Sequence, residues 1–221
     1  MCLLRRARLP RFSVLPVELL NRDSVEEQKA RADANRGALA DIALRVLMSL
    51  LYGARMERFD LLRAIQGLAS RATSWDTECD NRLHRLVCYV YHSLHLRMIG
   101  YVGNVPADVC LNLYADADFA GCKKSAKSTT GVHVAVQGSH TCFPLMGVSK
   151  KQDAVSSSTP EAEIIAGAWA LRRAGLPAMD LWDLILQSAN GMRFREDNQA
   201  MIRVCQSGRN PTMRHLNRTH G

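Results

Sequence analysis

Two aspartates after a short apolar segment are the first residues whose type and spacing point to chemistry. Residues 109–114 are predicted to form a strand, and Asp116 and Asp118 follow it directly. Side chains two positions apart in an extended chain face the same side, so both carboxylates are expected on one face. Carboxylates that end a strand commonly hold a hard divalent cation. Aspartate also closes turns for purely local reasons, so both interpretations stay open at this point.

A second acidic position lies at the start of a predicted helix. The sequence Ser-Ser-Ser-Thr-Pro-Glu-Ala-Glu favours a helix capped by Thr159, with Pro160 in its first position. Glu161 and Glu163 point to nearly opposite faces, so only one of them can belong to a site. Glu163 shares its face with small residues that let a helix lie close on a sheet: Ala166, Gly167 and Ala170. We therefore expect Glu163 to lie beside the strand ends. Glu161 is expected to stabilise the helix N-terminus through the helix dipole.

A third acidic position follows a short predicted strand, Met192–Arg195. The sequence Glu-Asp-Asn comes next and leads directly into another predicted helix. Asp197 thus lies at a strand-to-helix junction, where it is either a plain helix cap or a third metal ligand. If the three elements meet at one edge of a sheet, their carboxylates gather there.

These acidic residues need a sheet to bring them together. Residues 131–137 alternate valine with other residues, which is typical of a strand. Gly138 and Ser139 form a predicted turn, so the strand at 140–148 should pair antiparallel with the preceding one. With the strand at 109–114, the sequence predicts three consecutive antiparallel strands followed by a helix.

The predicted helix that carries Glu163 should run to about Ala174. Gly175 and Pro177 are expected to end it, because glycine and proline are typical of helix C-termini. We predict an α/β domain at 108–221, with a mixed sheet and flanking helices.

The residues before this domain form a different kind of unit. Apolar residues at spacings of three and four predict three helices, giving a small helical unit at 38–105. Residues 101–107 contain glycine and proline and are interpreted as a linker and domain boundary. Residues 1–37 lack sustained periodicity and are expected to form a flexible lead-in.

Five short motifs occur in order along the chain. They are Tyr-Ala-Asp-Ala-Asp-Phe-Ala-Gly at 114–121, Lys-Ser-Thr-Thr-Gly-Val at 127–132, Val-Ser-Lys-Lys-Gln at 148–152, Ser-Ser-Thr-Pro-Glu-Ala-Glu at 157–163 and Glu-Asp-Asn-Gln-Ala at 196–200. Together they resemble the ribonuclease H domain of copia-type retrotransposon Pol polyproteins. Upstream, residues 49–55 and Arg58-Phe-Asp are similar to the end of the reverse transcriptase region, although Phe59 replaces the usual proline. The resemblance covers roughly residues 40–221.

The resemblance implies a ribonuclease H-like fold and endonucleolytic hydrolysis of the RNA strand of RNA–DNA hybrids. In that family three carboxylates hold two Mg²⁺ ions, with Mn²⁺ as a substitute, and they match Asp116, Glu163 and Asp197. Asp116 would bridge both ions, Glu163 would hold one and Asp197 the other, for in-line hydrolysis of a phosphodiester. Candidates for contacts to the duplex are Lys150, Lys151, Gln152, Asn198 and Gln199. The implied partners are the hybrid and the reverse transcriptase portion of the polyprotein, with no small-molecule cofactor.

The C-terminal sequence departs from the family pattern. Asn217 stands where a fourth acidic residue is expected, and asparagine offers a neutral oxygen without the charge. His215 or His220 are candidates to assist protonation or product release, because histidine titrates near neutral pH. The family's last strand or helix is also expected to be missing. The alternative function is therefore a weakened or inert remnant that acts at most as a nucleic-acid-binding module; a structural subunit for a separate polymerase chain is a third.

Charge and composition agree with a nucleic-acid partner. The 221 residues carry a net charge of +8 and have a pI of about 9.4, which favours an anionic partner. No apolar run is long enough to span a membrane, so no membrane partner is expected. Seven scattered cysteines without a Cys-x-x-Cys pair suggest free thiols in a reducing compartment, and thus a cytoplasmic or nuclear location.

Overall fold

The computed structural model describes residues 35–122, 125–186 and 191–208. In these residues the chain is an α/β protein, as predicted, with a mixed five-stranded sheet flanked by helices. Most of the predicted lead-in at 1–37 lies outside this part of the chain. None of the helices that these residues form is both long enough and apolar enough to cross a membrane.

The first unit contains the three expected helices. They are α1 (Ala40–Met56), α2 (Leu62–Ala69) and α3 (Thr77–His92). Asp76 caps α3, because its carboxylate accepts a hydrogen bond from the backbone N–H of Cys79 at 2.9 Å. The three helices enclose their own apolar core, in which Leu47, Ile65 and Leu83 are almost completely buried.

The sheet contains one more strand than the sequence predicted. Its strands are β1 (Tyr101–Val102), β2 (Cys110–Asp118), β3 (Thr129–Gly138), β4 (Thr141–Lys151) and β5 (Met192–Arg195). Their spatial order is β1-β4-β3-β2-β5. The expected antiparallel pairing of β2, β3 and β4 is confirmed, and β5 lies parallel to β2. This mixed arrangement is consistent with a ribonuclease H-like fold.

The interpretation of residues 101–107 as a linker is wrong at its first two residues. Tyr101 pairs with Cys142, so this segment forms the edge strand β1. The backbone N–H groups of Gly103 and Asn104 both donate to the hydroxyl of Thr141 at 3.1 Å. Nearby glycine and proline are typical of a linker, but pairing with β4 stabilises a two-residue strand here.

The helix that carries Glu163 also continues further than expected. It runs as α4 (Thr159–Ala170), passes through a π-helical turn (Leu171–Gly175) and goes on as α5 (Leu176–Leu186). The backbone N–H of Leu176 donates to the carbonyl of Leu171, five residues back. Pro177 follows directly after the π-helical turn, where the regular spacing of backbone hydrogen bonds is already interrupted and a residue without an N–H is accommodated. A further helix, α6 (Gln199–Ser207), follows β5.

The sheet has a different neighbour on each face. On one face, the alternate valines of β3 (Val132, Val134 and Val136) share a core with Ala170 and Ala174 of the α4 segment. On the other face, the ring of His133 meets that of Phe59, with centroids 5.9 Å apart. The helical unit and α4 therefore cover opposite faces of the sheet.

Candidate active site

The end of β2 presents two aspartates on one side, as the spacing predicted. Ala117 packs against Ala162 and Ala166 of α4, whereas Asp116 and Asp118 on either side of it are exposed. The alternation of a strand therefore turns both aspartates away from α4.

Asp118 is engaged by the helical unit. Its carboxylate receives a hydrogen bond from Arg63, with Nη2 and Oδ2 2.7 Å apart. This ion pair links α2 to the end of β2. Asp116 is therefore the residue of the pair that the structure leaves for a site.

The two glutamates at the start of α4 have separate roles, as the sequence suggested. Glu161 accepts hydrogen bonds from the backbone N–H of Ser157, at 3.0 Å, and from the Ser157 hydroxyl. Ser158, rather than the predicted Thr159, is the N-cap, because its hydroxyl accepts from the backbone N–H of Glu161. Glu161 and Ser158 together satisfy the start of the helix, in the manner of a capping box.

Glu163 is buried at the tip of β2, with only 4% of its surface exposed. The backbone N–H of Ala117 donates to its carboxylate. Its second oxygen, Oε2, has no hydrogen-bond partner among the residues that the structure describes. The pKa of Glu163 is raised to about 7, mainly by burial and in addition by the negative charges of Asp116, Glu196 and Asp197.

The third acidic position lies where the parallel pair of strands ends. β5 pairs with β2 as far as Tyr114 and Arg195, and the chain then leaves the sheet. The carboxyl ends of neighbouring parallel strands are a common location for ligand sites. Asn198, not Asp197, caps α6, since its side chain accepts from the backbone N–H of Met201 at 3.0 Å. The alternative of Asp197 as the cap is therefore excluded.

Glu196 is a member of this group that the sequence reasoning missed. Its Oε1 accepts from the backbone N–H of Asn198 at 3.0 Å, while its Oε2 is buried without a partner in the described part of the chain. Burial raises its pKa, and the charges of Asp197 and Asp116 add to the effect. The sequence feature that could have identified Glu196 is its position next to Asp197, directly after the predicted strand.

We call four carboxylates around the ends of β2 and β5 and the start of the Glu163 helix the acidic flank: Asp116, Glu163, Glu196 and Asp197. Across residues 35–122, 125–186 and 191–208, no group of three or more His, Cys, Asp or Glu side chains is arranged to hold a metal ion. Asp116, Glu196 and Asp197 are thus close enough to Glu163 to raise its pKa, but the four carboxylates are not arranged as a metal-ligand set. Two features of this donor set nevertheless fit a hard cation: it offers only carboxylate oxygens, and two of those oxygens are buried without a partner.

The residues predicted to contact the duplex differ in their exposure. Lys150 and Lys151 are partly exposed, and Gln199 is exposed. Gln152 is buried, and its amide donates to the Thr130 hydroxyl and to the carbonyl of Ala162. It joins the end of β4 to α4, so its prediction as a surface contact is wrong.

The side chain of Asn198 is used as the cap of α6, which makes it a structural residue in this conformation. The three candidates for an auxiliary role, His215, Asn217 and His220, lie outside the described residues.

In comparison with known proteins, no family model matches the sequence, and no solved structure matches the fold significantly.

Proposed function

We propose that this chain is a magnesium-dependent endonuclease that cleaves the RNA strand of RNA–DNA hybrids. The observation that carries the proposal is the buried carboxylate of Glu163, which lies among the charges of Asp116, Glu196 and Asp197 with one oxygen unpartnered. A buried carboxylate with an unpartnered oxygen is costly for the fold, and acidic groups with strongly shifted pKa values are concentrated at functional sites.

The acidic flank supplies the binding groups for this activity. Asp116, Glu163 and Asp197 would hold Mg²⁺, and Mn²⁺ would substitute for it. When bound, the ions would lower the pKa of an attacking water and stabilise the leaving oxygen of the phosphodiester. The protein contributes position: the N–H of Ala117 fixes one oxygen of Glu163.

The choice of substrate rests on the sequence resemblance. The 2′-hydroxyl groups would distinguish the RNA strand from the DNA strand. Lys150, Lys151 and Gln199 remain candidates for contacts to the duplex, because each is at least partly exposed. The proposed context is a retrotransposon polyprotein that includes a reverse transcriptase portion, in the cytoplasm or nucleus.

The test uses two aspartates on the same strand. A hybrid labelled on its RNA strand is incubated with the purified chain and Mg²⁺. Asp116→Asn should lower the cleavage rate by about a hundredfold or more, since a lost metal ligand removes several kcal/mol of transition-state stabilisation. Asp118→Asn is the matched control and should keep most of the activity, because Asp118 is paired with Arg63. Cleavage that both variants retain, or that both lose equally, contradicts the proposal.

A second candidate is a module that binds hybrids without cleaving them. The net charge of +8 favours binding of nucleic acid, and Asn217 lacks the charge expected at the fourth position. Hybrid binding that weakens with salt, without cleavage over a wide range of Mg²⁺ and Mn²⁺ concentrations, would favour this candidate over the nuclease.

A further inference from the structure

A second feature of α4 lies on the side of the helix opposite the acidic flank. A cavity of about 290 Å³ opens between the end of β4 and this side of α4. Its lining includes four cationic side chains, which we call the basic cleft: Lys150, Lys151, Arg172 and Arg173. Asp153 is the acidic residue of this lining, so the net charge of the cleft is positive.

Helix geometry separates the cleft from the acidic flank. Ile165, Trp169 and Arg172 line the cavity at spacings of three and four, so they form one stripe of the helical segment. Glu163 lies two positions before Ile165 and therefore points to nearly the opposite side. The π-helical turn widens the helix where the two arginines leave it, and such turns are frequent at functional sites.

Two cations of the cleft, Lys150 and Lys151, already contact neighbouring side chains. The ammonium of Lys150 lies 5.8 Å from the centroid of the Trp169 ring and 3.3 Å from a carboxylate oxygen of Asp153. The ammonium of Lys151 lies 3.1 Å from the Cys122 sulfur. Fixing long cationic side chains in advance lowers the entropy cost of binding an anion.

The sheet register gives the distance between the two sites. Thr130 of β3 pairs with Ala117 of β2 on one side and with Lys150 of β4 on the other. Two strand spacings thus separate Ala117 from Lys150, which is about 10 Å between their backbones. Because Ala117 holds Glu163, an extended ligand that passes the start of α4 can reach both sites.

We propose that the basic cleft binds phosphate groups of the nucleic-acid backbone and anchors the hybrid beside the acidic flank. The inference rests on the proposed function only for the identity of the ligand. Lysine and arginine bind phosphates through charge-assisted hydrogen bonds, and clustered cations release counterions from a polyanion. Neither effect depends on base sequence, so the cleft positions the duplex and does not select a sequence.

The test measures binding without cleavage. Fluorescence anisotropy follows a labelled RNA–DNA hybrid in EDTA at several salt concentrations. Lys150→Gln/Arg173→Gln should weaken binding and lower the slope of log affinity against log salt by about 2, because two phosphate contacts are lost. Arg45→Gln/Arg97→Gln removes the same charge from the helical unit and should leave the slope nearly unchanged. Circular dichroism checks that both variants are folded.

The outcomes separate this inference from the proposed nuclease. Equal slopes for the cleft variant and its control would overturn the cleft, even if the wild-type chain cleaves hybrids. A wild-type chain that never cleaves, but whose binding depends on the cleft, would support the proposed phosphate site and overturn the proposed nuclease activity. If Lys150→Gln/Arg173→Gln does not fold, Arg172→Gln/Arg173→Gln tests the same slope.

Discussion

Two polar side chains, Gln152 and Glu163, are buried at the first turns of α4, and they differ in how completely their polar atoms are hydrogen-bonded. Gln152 donates to Thr130 and to Ala162, and it accepts from the Ser156 hydroxyl at 3.2 Å. Glu163 has an oxygen without a partner among the described residues, and its pKa is raised to about 7. The comparison indicates that the Gln152 side stabilises the fold, whereas the Glu163 side carries an unfavourable charge, as expected of a binding group.

The largest loss of stability is expected when Gln152, whose side chain is hydrogen-bonded, is replaced. Gln152→Leu should lower the free energy of unfolding by about 2–4 kcal/mol, because it leaves buried groups of Thr130, Ala162 and Ser156 without partners. Urea unfolding measures this change. Gln199→Leu is the control, since Gln199 is exposed and should change stability by less than about 0.5 kcal/mol. Equal effects of the two substitutions would contradict the structural role of Gln152.

Replacement of Glu163 is expected to raise the free energy of unfolding instead of lowering it. In EDTA at pH 8, Glu163→Gln should raise the free energy of unfolding by about 1–3 kcal/mol, because it removes a buried negative charge among like charges. Glutamine keeps an oxygen for the N–H of Ala117 and can donate to the neighbouring carboxylates. Thermal unfolding at several pH values measures the gain, and a loss of stability at pH 8 would reject the interpretation of Glu163 as an unsatisfied acid.

The pH dependence of this gain has a definite direction. The pKa of Glu163 is raised from 4.5 to about 7 in the folded chain, so its contribution to stability is fully present below pH 4.5. That contribution is lost as the pH rises through about 7, since the folded state then has to carry the charge. The advantage of Glu163→Gln should therefore be small near pH 4 and largest above pH 7. Mg²⁺ should narrow the difference by stabilising the wild-type chain.

The smallest effect is expected at the link between the helical unit and the sheet. Arg63→Ala should change stability by less than about 1 kcal/mol, because the Arg63 and Asp118 side chains are both about half exposed. Unfolding at low and high salt measures this, and the difference between wild type and variant should shrink as salt rises. A loss of several kcal/mol would show that the ion pair is needed to dock the helical unit.

Local sequence patterns were sufficient for most of the sheet. The strand at Met192–Arg195 has the predicted bounds, and the Gly138-Ser139 turn joins an antiparallel pair as expected. The small-residue stripe correctly indicated which side of α4 lies on the sheet, since Ala166 and Ala170 are fully buried. Each of these features depends on residues close together in the chain, where periodicity and turn chemistry are informative.

The errors concern interactions that only the assembled fold supplies. Gln152 resembles a surface residue in the sequence, yet in the fold it is buried between Thr130 of β3 and Ala162 of α4. Gly175 and Pro177 are ordinary helix-ending residues, but a change in hydrogen-bond spacing accommodates both. Glu196 became visible as a site residue only when the ends of β2 and β5 were placed side by side.

The π-helical turn at Leu171–Gly175 has a consequence for how this chain tolerates insertions and deletions. A π turn contains one residue more than an α-helical turn, so deleting one residue there would restore ordinary winding. The helix that follows would keep its phase, and Met179 and Trp182 would stay packed against the sheet core. A deletion within Thr159–Ala170 has no such wide turn to absorb it, so every later helical position would rotate by about 100° and both side chains would turn toward water. The tolerance of this helix to a one-residue deletion therefore depends on where the residue is removed.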